Sequence, residues 1–242
     1  MTVACQKINP VGSITVTESE WLECPDPTKM LEWLHQSRAS QRKLRLFACA
    51  CCRYIWHLLT DERSRKAVEV AEQYADGEAT TKELGAARRD ARKVCSRYTS
   101  ESSWYPAAAA GYASEYRAWR GGWNVAEAVA SHSIHPGQQE GTGVRWAQAD
   151  LLRDIFGPLA FRRGCVWPSG WTWNERTVVC LAQSAYDDRH LPYGTLDQAR
   201  LAALADALEE SVPVDAEILG HLRGPGPHVR GCHAVDAILG RG

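Results

Sequence analysis

From position 44 to position 59 the apolar residues Leu44, Phe47, Ala48, Cys51, Cys52, Ile55, Trp56 and Leu59 follow one another at alternating steps of three and one. At about 100° per residue this spacing lines one face of a helix, whereas a strand alternates faces at every residue. Ser40 stands in front of the run as a natural N-cap. The pattern predicts a helix over 41–59 whose apolar stripe must be buried against other elements. Arg42, Lys43, Arg45 and Arg53 fall mostly off the stripe.

The same grammar recurs along the chain. Thr17 and Glu20 form a capping-box pair, and Asp26-Pro27 opens a helix that carries Met30, Leu31, Trp33 and Leu34. Thr60-Asp61 starts a helix that stops before Gly77, and Thr80 to Glu83 starts the next, which runs to Tyr98. Pro106 begins an aromatic-rich stretch to Trp119, broken by Gly121-Gly122. Further helices are expected over 124–131, 142–156, 175–188 and 196–210, then a short one after Asp215, and a last one from Pro227 to Gly240. The expected fold is all-α, nine to eleven helices in one compact two-lobed domain over 17–242. The lobes are 17–135 and 142–242, after an irregular leader at 1–16 with a lone strand around 13–16. A faint echo links the helix–turn–helix of Val68, Tyr74 and Thr81 with that of Val179, Tyr186 and Thr195.

No apolar run reaches about 18 residues, so no membrane-spanning segment is expected. Residues 1–16 carry one Lys and no apolar stretch of signal-peptide length. The nine cysteines are an odd number and sit mostly inside helical patterns, which reads as free thiols in a reducing cytoplasm. The net charge of −1 provides no global field for nucleic acid or anionic membrane. Charge is nonetheless segregated: residues 38–97 hold 14 Lys/Arg against 8 Asp/Glu, and residues 174–220 hold 3 Arg against 9 acids. The two blocks either pack on each other or face different partners.

Several segments carry a resemblance together: Trp21-Leu22 with Asp26-Pro27; Arg42-Lys43-Leu44-Arg45-Leu46-Phe47-Ala48-Cys49 with Cys51-Cys52-Arg53; Thr60-Asp61-Glu62-Arg63 with Ala67-Val68-Glu69-Val70-Ala71-Glu72; and Leu204-Ala205-Asp206-Ala207-Leu208-Glu209 with Gly224-Pro225-Gly226-Pro227-His228-Val229-Arg230-Gly231-Cys232. They resemble a large paralogous family of helical proteins from planctomycete bacteria of the Gemmata type. The resemblance covers most of the chain and is weakest over 1–16 and 99–145. It implies a bacterial cytoplasmic protein and brings no activity and no catalytic residue. This chain has His233 where that family often has an aromatic residue.

Six constellations are candidates for chemistry. His221, His228, Cys232 and His233 are candidate metal ligands, because imidazole and thiolate suit zinc or another transition metal; in the expected last helix His228 and Cys232 stand four apart on one face. Arg223, His228 and Arg230 around the expected helix start at Pro227 are candidate anion donors, against the alternative that the Gly-Pro turn only fixes the last helix. Trp104, Tyr112, Tyr116, Trp119 and Trp123 form an aromatic wall for a planar ligand or a protein interface, or else belong to the core. Arg88, Arg89, Arg92, Lys93 and Arg97 make one basic helical face open to nucleic acid or neutralised within the chain. Cys49, Cys51 and Cys52 with His57 read as core, since Cys51 and Cys52 lie on the apolar stripe. His132-x-x-His135 reads as a loop.

No Walker loop, dinucleotide glycine pattern, nucleophile elbow or kinase signature is present. The leading functional reading is a non-catalytic protein-interaction or regulatory module. The alternative is a metal-dependent or small-ligand-binding enzyme using the C-terminal His/Cys cluster, and the third is a nucleic-acid-binding module using the Arg88 to Arg97 face.

Overall fold

The computed structural model describes residues 16–98, 101–132, 142–158, 175–211 and 216–241. The chain is all-α. Its helices are α1 (Glu18–Glu23), α2 (Pro27–Gln36), α3 (Gln41–Tyr54), α4 (Glu62–Ala75), α5 (Thr81–Cys95), α6 (Glu101–Ala113), α7 (Ala118–His132), α8 (Thr142–Phe156), α9 (Glu175–Asp187), α10 (Gln198–Ser211), α11 (Ala216–Arg223) and α12 (His233–Ile238). Among the described residues the extended structure consists of isolated bridges from Thr195 to His190 and to Val229. No helix of these residues is long and apolar enough to cross a membrane.

The helix starts follow the capping residues. Thr17 with Glu20 and Thr80 with Glu83 form reciprocal capping boxes, and the Asp26, Ser40 and Asp61 side chains accept from first-turn N–H groups. Each such cap contributes about 1 kcal/mol and fixes where the helix begins.

α3 is the central helix and packs against α4, α6, α7 and α8. The expected stripe is buried, but so are Arg45, Leu46, Cys49, Ala50 and Arg53 on the other faces. α3 also ends at Tyr54, before a 3-10 turn at Trp56–Leu58. These two arginines off the stripe are inside because each finds fixed acceptors. Arg45 donates to the carbonyls of Ala113, Glu115 and Tyr116, the free carbonyls after α6. Arg53 forms a bidentate pair with Glu72 on α4, at 2.5 and 2.7 Å.

The aromatic-rich stretch breaks at 114–117, not at Gly121-Gly122, which lie inside α7. A Cβ on Gly121 would stand 2.6 Å from the Tyr112 carbonyl oxygen, so glycine here lets α7 approach α6. Gly121→Ala is therefore expected to destabilise the protein by about 1–3 kcal/mol, the usual cost of overpacking. Urea unfolding measures this, and an unchanged midpoint would mean that the α6–α7 contact opens freely.

Two apolar clusters follow the chain order. The first gathers α1 through α8 around Trp21, Phe47, Leu84, Leu152 and Ile155. The second gathers α9 through α12 around Val178, Leu201, Leu204, Leu222 and Val235. The lobe boundary expected near 132–173 falls mostly on residues outside the described ones, and α8 between them packs into the first cluster. The leader also lies outside the described residues, apart from Val16 and Thr17.

Ion pairs join the two clusters in both polarities. Glu72 and Asp76 from the basic block take arginines from later in the chain: Arg189 on Glu72 at 2.8 Å, and Arg230 on Asp76 at 2.5 Å. Arg42 completes the set, reaching Asp76 at 2.7 Å and Asp236 at 2.6 and 3.0 Å. The acidic block spends part of its own charge locally, where Asp206 and Glu209 hold Arg223 and Asp188 holds Arg200.

Candidate metal centre

The segment between α11 and α12 determines the site. Gly226 and Gly231 adopt φ of 85° and 100°, the left-handed region that stops helix propagation. Val229 bridges to Thr195, and Leu196 N–H donates to the His228 carbonyl at 2.8 Å. The helix expected from Pro227 therefore starts only at His233. His228 and Cys232 do not share a helical face; the folded loop brings them together instead.

Four donor atoms lie within 4.8 Å of one another: one each from Asp154, His221, His228 and Cys232. Asp154 comes from the last turns of α8, His221 from the end of α11, and the other two from the loop. His221 Nε2 lies 3.1 Å from Asp154 Oδ1 and 3.2 Å from Cys232 Sγ. His228 Nδ1 lies 3.1 Å from the same Asp154 Oδ1. Donors around a tetrahedral zinc, each about 2.0–2.3 Å from the ion, stand roughly 3.3–3.8 Å apart. These three contacts would open by a few tenths of an ångström to reach that spacing, and the widest pair of the set would close from up to 4.8 Å.

The donors are held by a further ring of contacts. His228 Nε2 donates to the Gly224 carbonyl at 3.1 Å, which turns Nδ1 toward the cluster. Asp154 Oδ2 accepts from the Val229 N–H at 2.9 Å, leaving Oδ1 for the histidines. His233 Nδ1 donates to the Asp154 backbone carbonyl at 2.9 Å. Such partners fix the orientation of metal-binding side chains. His233, expected among the ligands, is thus a support for one of them.

The site is closed. Asp154, His228 and Cys232 are buried, and only the His221 side chain, 23% exposed, reaches the rim. Burial alone would raise the Asp154 carboxyl, but hydrogen bonds from His221 and His228 outweigh it and hold the group below its ordinary value. Burial would likewise lower His228, and Asp154 reverses this, pushing it up. Burial and the charge of Asp154 push the Cys232 thiol well up. Burial and His221 push His233 down to about 4. A buried carboxylate and two imidazoles around a thiol are a ready-made environment for a cation, which would deprotonate that thiol.

The other sequence candidates are placed elsewhere. Arg223 pairs with Asp206 and Glu209, Arg230 with Asp76 and Glu78, and His228 with Asp154. The anion-site expectation is corrected accordingly: its three donors are held by carboxylates, and the helix start it needed at Pro227 does not form. Tyr112, Trp119 and Trp123 pack partly buried against the first cluster, with Trp119 stacked on His35 at 4.0 Å. Tyr116 is exposed in the turn before α7, and Trp104 sits on α6. Burial pushes the thiols of Cys49, Cys51 and Cys52 up. His135 lies outside the described residues.

Asp154 was absent from the sequence-based ligand set. Its signal was an acid enclosed by Leu151, Leu152, Ile155 and Phe156, at a position the helix turns inward. Comparison of the chain with protein-family models, with curated proteins and with solved structures finds no match in any of the three.

Proposed function

We propose that this chain is a metal-braced, non-catalytic interaction module in which Asp154, His221, His228 and Cys232 hold one zinc-class ion. The observation that carries the reading is the convergence of these four donors, from three separate segments, within 4.8 Å. Two imidazoles, a thiolate and a carboxylate form a mixed set suited to tetrahedral zinc and ill suited to calcium or magnesium. Four protein donors in a buried site leave no coordination position for substrate, which is the mark of a structural centre. The ion would tie α8 of the first cluster to α11 and the loop of the second. Its work is to hold the surface of the second lobe in register for a partner.

Elemental analysis of protein purified without chelator is expected to give one zinc per chain, and Cys232→Ala or His228→Ala to lose it. Chelation is expected to lower Tm by about 8–16 °C. That figure takes about 4 kcal/mol of linkage at a thousandfold excess of metal over Kd, at about 2–4 °C per kcal/mol for this size. A cobalt-substituted protein whose visible spectrum ignores added azide would support the closed centre. A spectrum that shifts with azide would show an open position and turn the reading toward a metalloenzyme. Protein that binds no metal under any loading condition would remove the centre altogether.

A further inference from the structure

A second feature shares no residue with the metal centre. α5 packs against α6, and between them lies a cavity of about 170 Å³ lined by Arg92, Cys95, Trp104, Ala108, Gly111 and Tyr112. On α6, positions 104, 108, 111 and 112 fall on one face, being four, three and one apart. Trp104 and Tyr112 thus line one wall, with Ala108 and Gly111 between them. A Cβ on Gly111 would meet only Arg92 Cγ, at 3.9 Å, so this wall opens into space rather than into packed atoms. The cavity has room for one planar ring system.

Its rim is cationic. The Arg92 side chain is 59% exposed; Arg89 and Lys93 are exposed on α5, and Arg97 in the turn that follows it. Arg88 is drawn inward by an ion pair with Glu115 and lies over the Tyr116 ring, 5.3 Å from its centroid. Glu115 also approaches Arg92, at 3.7 Å, and neutralises part of the charge. Lys93 is paired with Asp90 at 2.8 Å. The excess that remains belongs to Arg89, Arg92 and Arg97.

We propose that this α5–α6 face binds a nucleotide, the base stacking on the aromatic wall of Trp104 and Tyr112 and the phosphate lying against Arg92. Aromatic walls take any base by its π face, and neighbouring cations follow the phosphates. An acidic peptide would be met by the cations but would leave the aromatic wall uncovered. The ligand is either a free nucleotide or one residue of a single strand, since both present the same base and phosphate. With two or three phosphates engaged, binding to a strand should weaken with salt at a log–log slope of roughly −1.4 to −2.

The test uses the full chain at low salt, with adenosine 5′-monophosphate, an eight-residue oligoadenylate and inorganic polyphosphate as probes, read by tryptophan fluorescence and by competition. Saturable binding of the monophosphate and the oligomer, each displacing the other, is expected for a free-nucleotide site. Binding of the oligomer alone identifies a strand as the ligand. In either case Arg92→Glu should weaken binding at least tenfold, and Trp104→Leu by about tenfold. Arg92 is exposed, so its variant tests the site even where the Trp104 variant fails to fold. Polyphosphate binding as tightly as the oligomer would overturn the proposal, because the base would then contribute nothing. So would the absence of binding by both adenylate probes, or an Arg92→Glu variant that binds as the parent does.

Discussion

Alanine at position 154 is expected to abolish metal binding and to cost about 3–5 kcal/mol even without metal, the range for breaking a buried charged network from one side. The Asp154 carboxylate receives His221, His228 and the Val229 N–H, and it is 2% exposed, so water cannot replace it. Its removal strands an imidazole and a backbone N–H in the interior and loosens the loop on which Cys232 stands. Urea unfolding followed by circular dichroism, with metal content in parallel, measures both effects. Cys232→Ala separates them: a buried thiol behaves as a small hydrophobe, so this variant should lose metal yet remain folded when metal-free. An Asp154→Ala protein with the parent midpoint would refute the idea that the carboxylate organises the loop.

The second large effect is expected at Asp236, which is fully buried on α12. It receives both terminal nitrogens of Arg42 on α3 and the Tyr186 hydroxyl of α9 at 2.7 Å. Lys43 stands 3.7 Å away, with its ammonium donating to the Ile155 carbonyl. Asp236→Ala leaves Arg42 with Asp76 alone and should cost about 3–5 kcal/mol. Tyr186→Phe removes one donor from Asp236 and the acceptor of the Gly231 N–H, which should cost about 1–3 kcal/mol. Because the two residues touch, the double variant should cost less than the sum of the singles. Strict additivity, or an Asp236→Ala loss below about 1 kcal/mol, would show that the network is not coupled.

The sequence disclosed the fold class because all-α architecture is written in local signals. Capping boxes at Thr17 and Thr80 and the stripe from Leu44 to Leu59 depend on residues a few positions apart. What it withheld depends on contacts across the chain. Periodicity marks one apolar face and cannot show that α3 is enclosed on all sides, so it places Arg45 and Arg53 off the stripe without revealing that they are buried. The break between α6 and α7 was assigned to Gly121-Gly122 because glycine disfavours helix interiors; closeness to the Tyr112 carbonyl overrode that preference. At the metal centre, three of the four donors were legible as residue types, but the helical spacing that paired His228 with Cys232 does not hold. The fourth, Asp154, is 67 residues from His221, and only the fold brings it there.

The ion pairs between the clusters also set an order of assembly during synthesis. Asp76 is 154 residues ahead of Arg230, and Glu72 is 117 ahead of Arg189. While the first cluster condenses on the ribosome, these anions must wait with Arg42 and Arg53 as their only guanidinium partners. The late arginines then act as keystones, set last into an arch whose stones already stand. A chain held before residue 189 would carry Glu72 and Asp76 with one guanidinium each, pairs that Arg189 and Arg230 later complete.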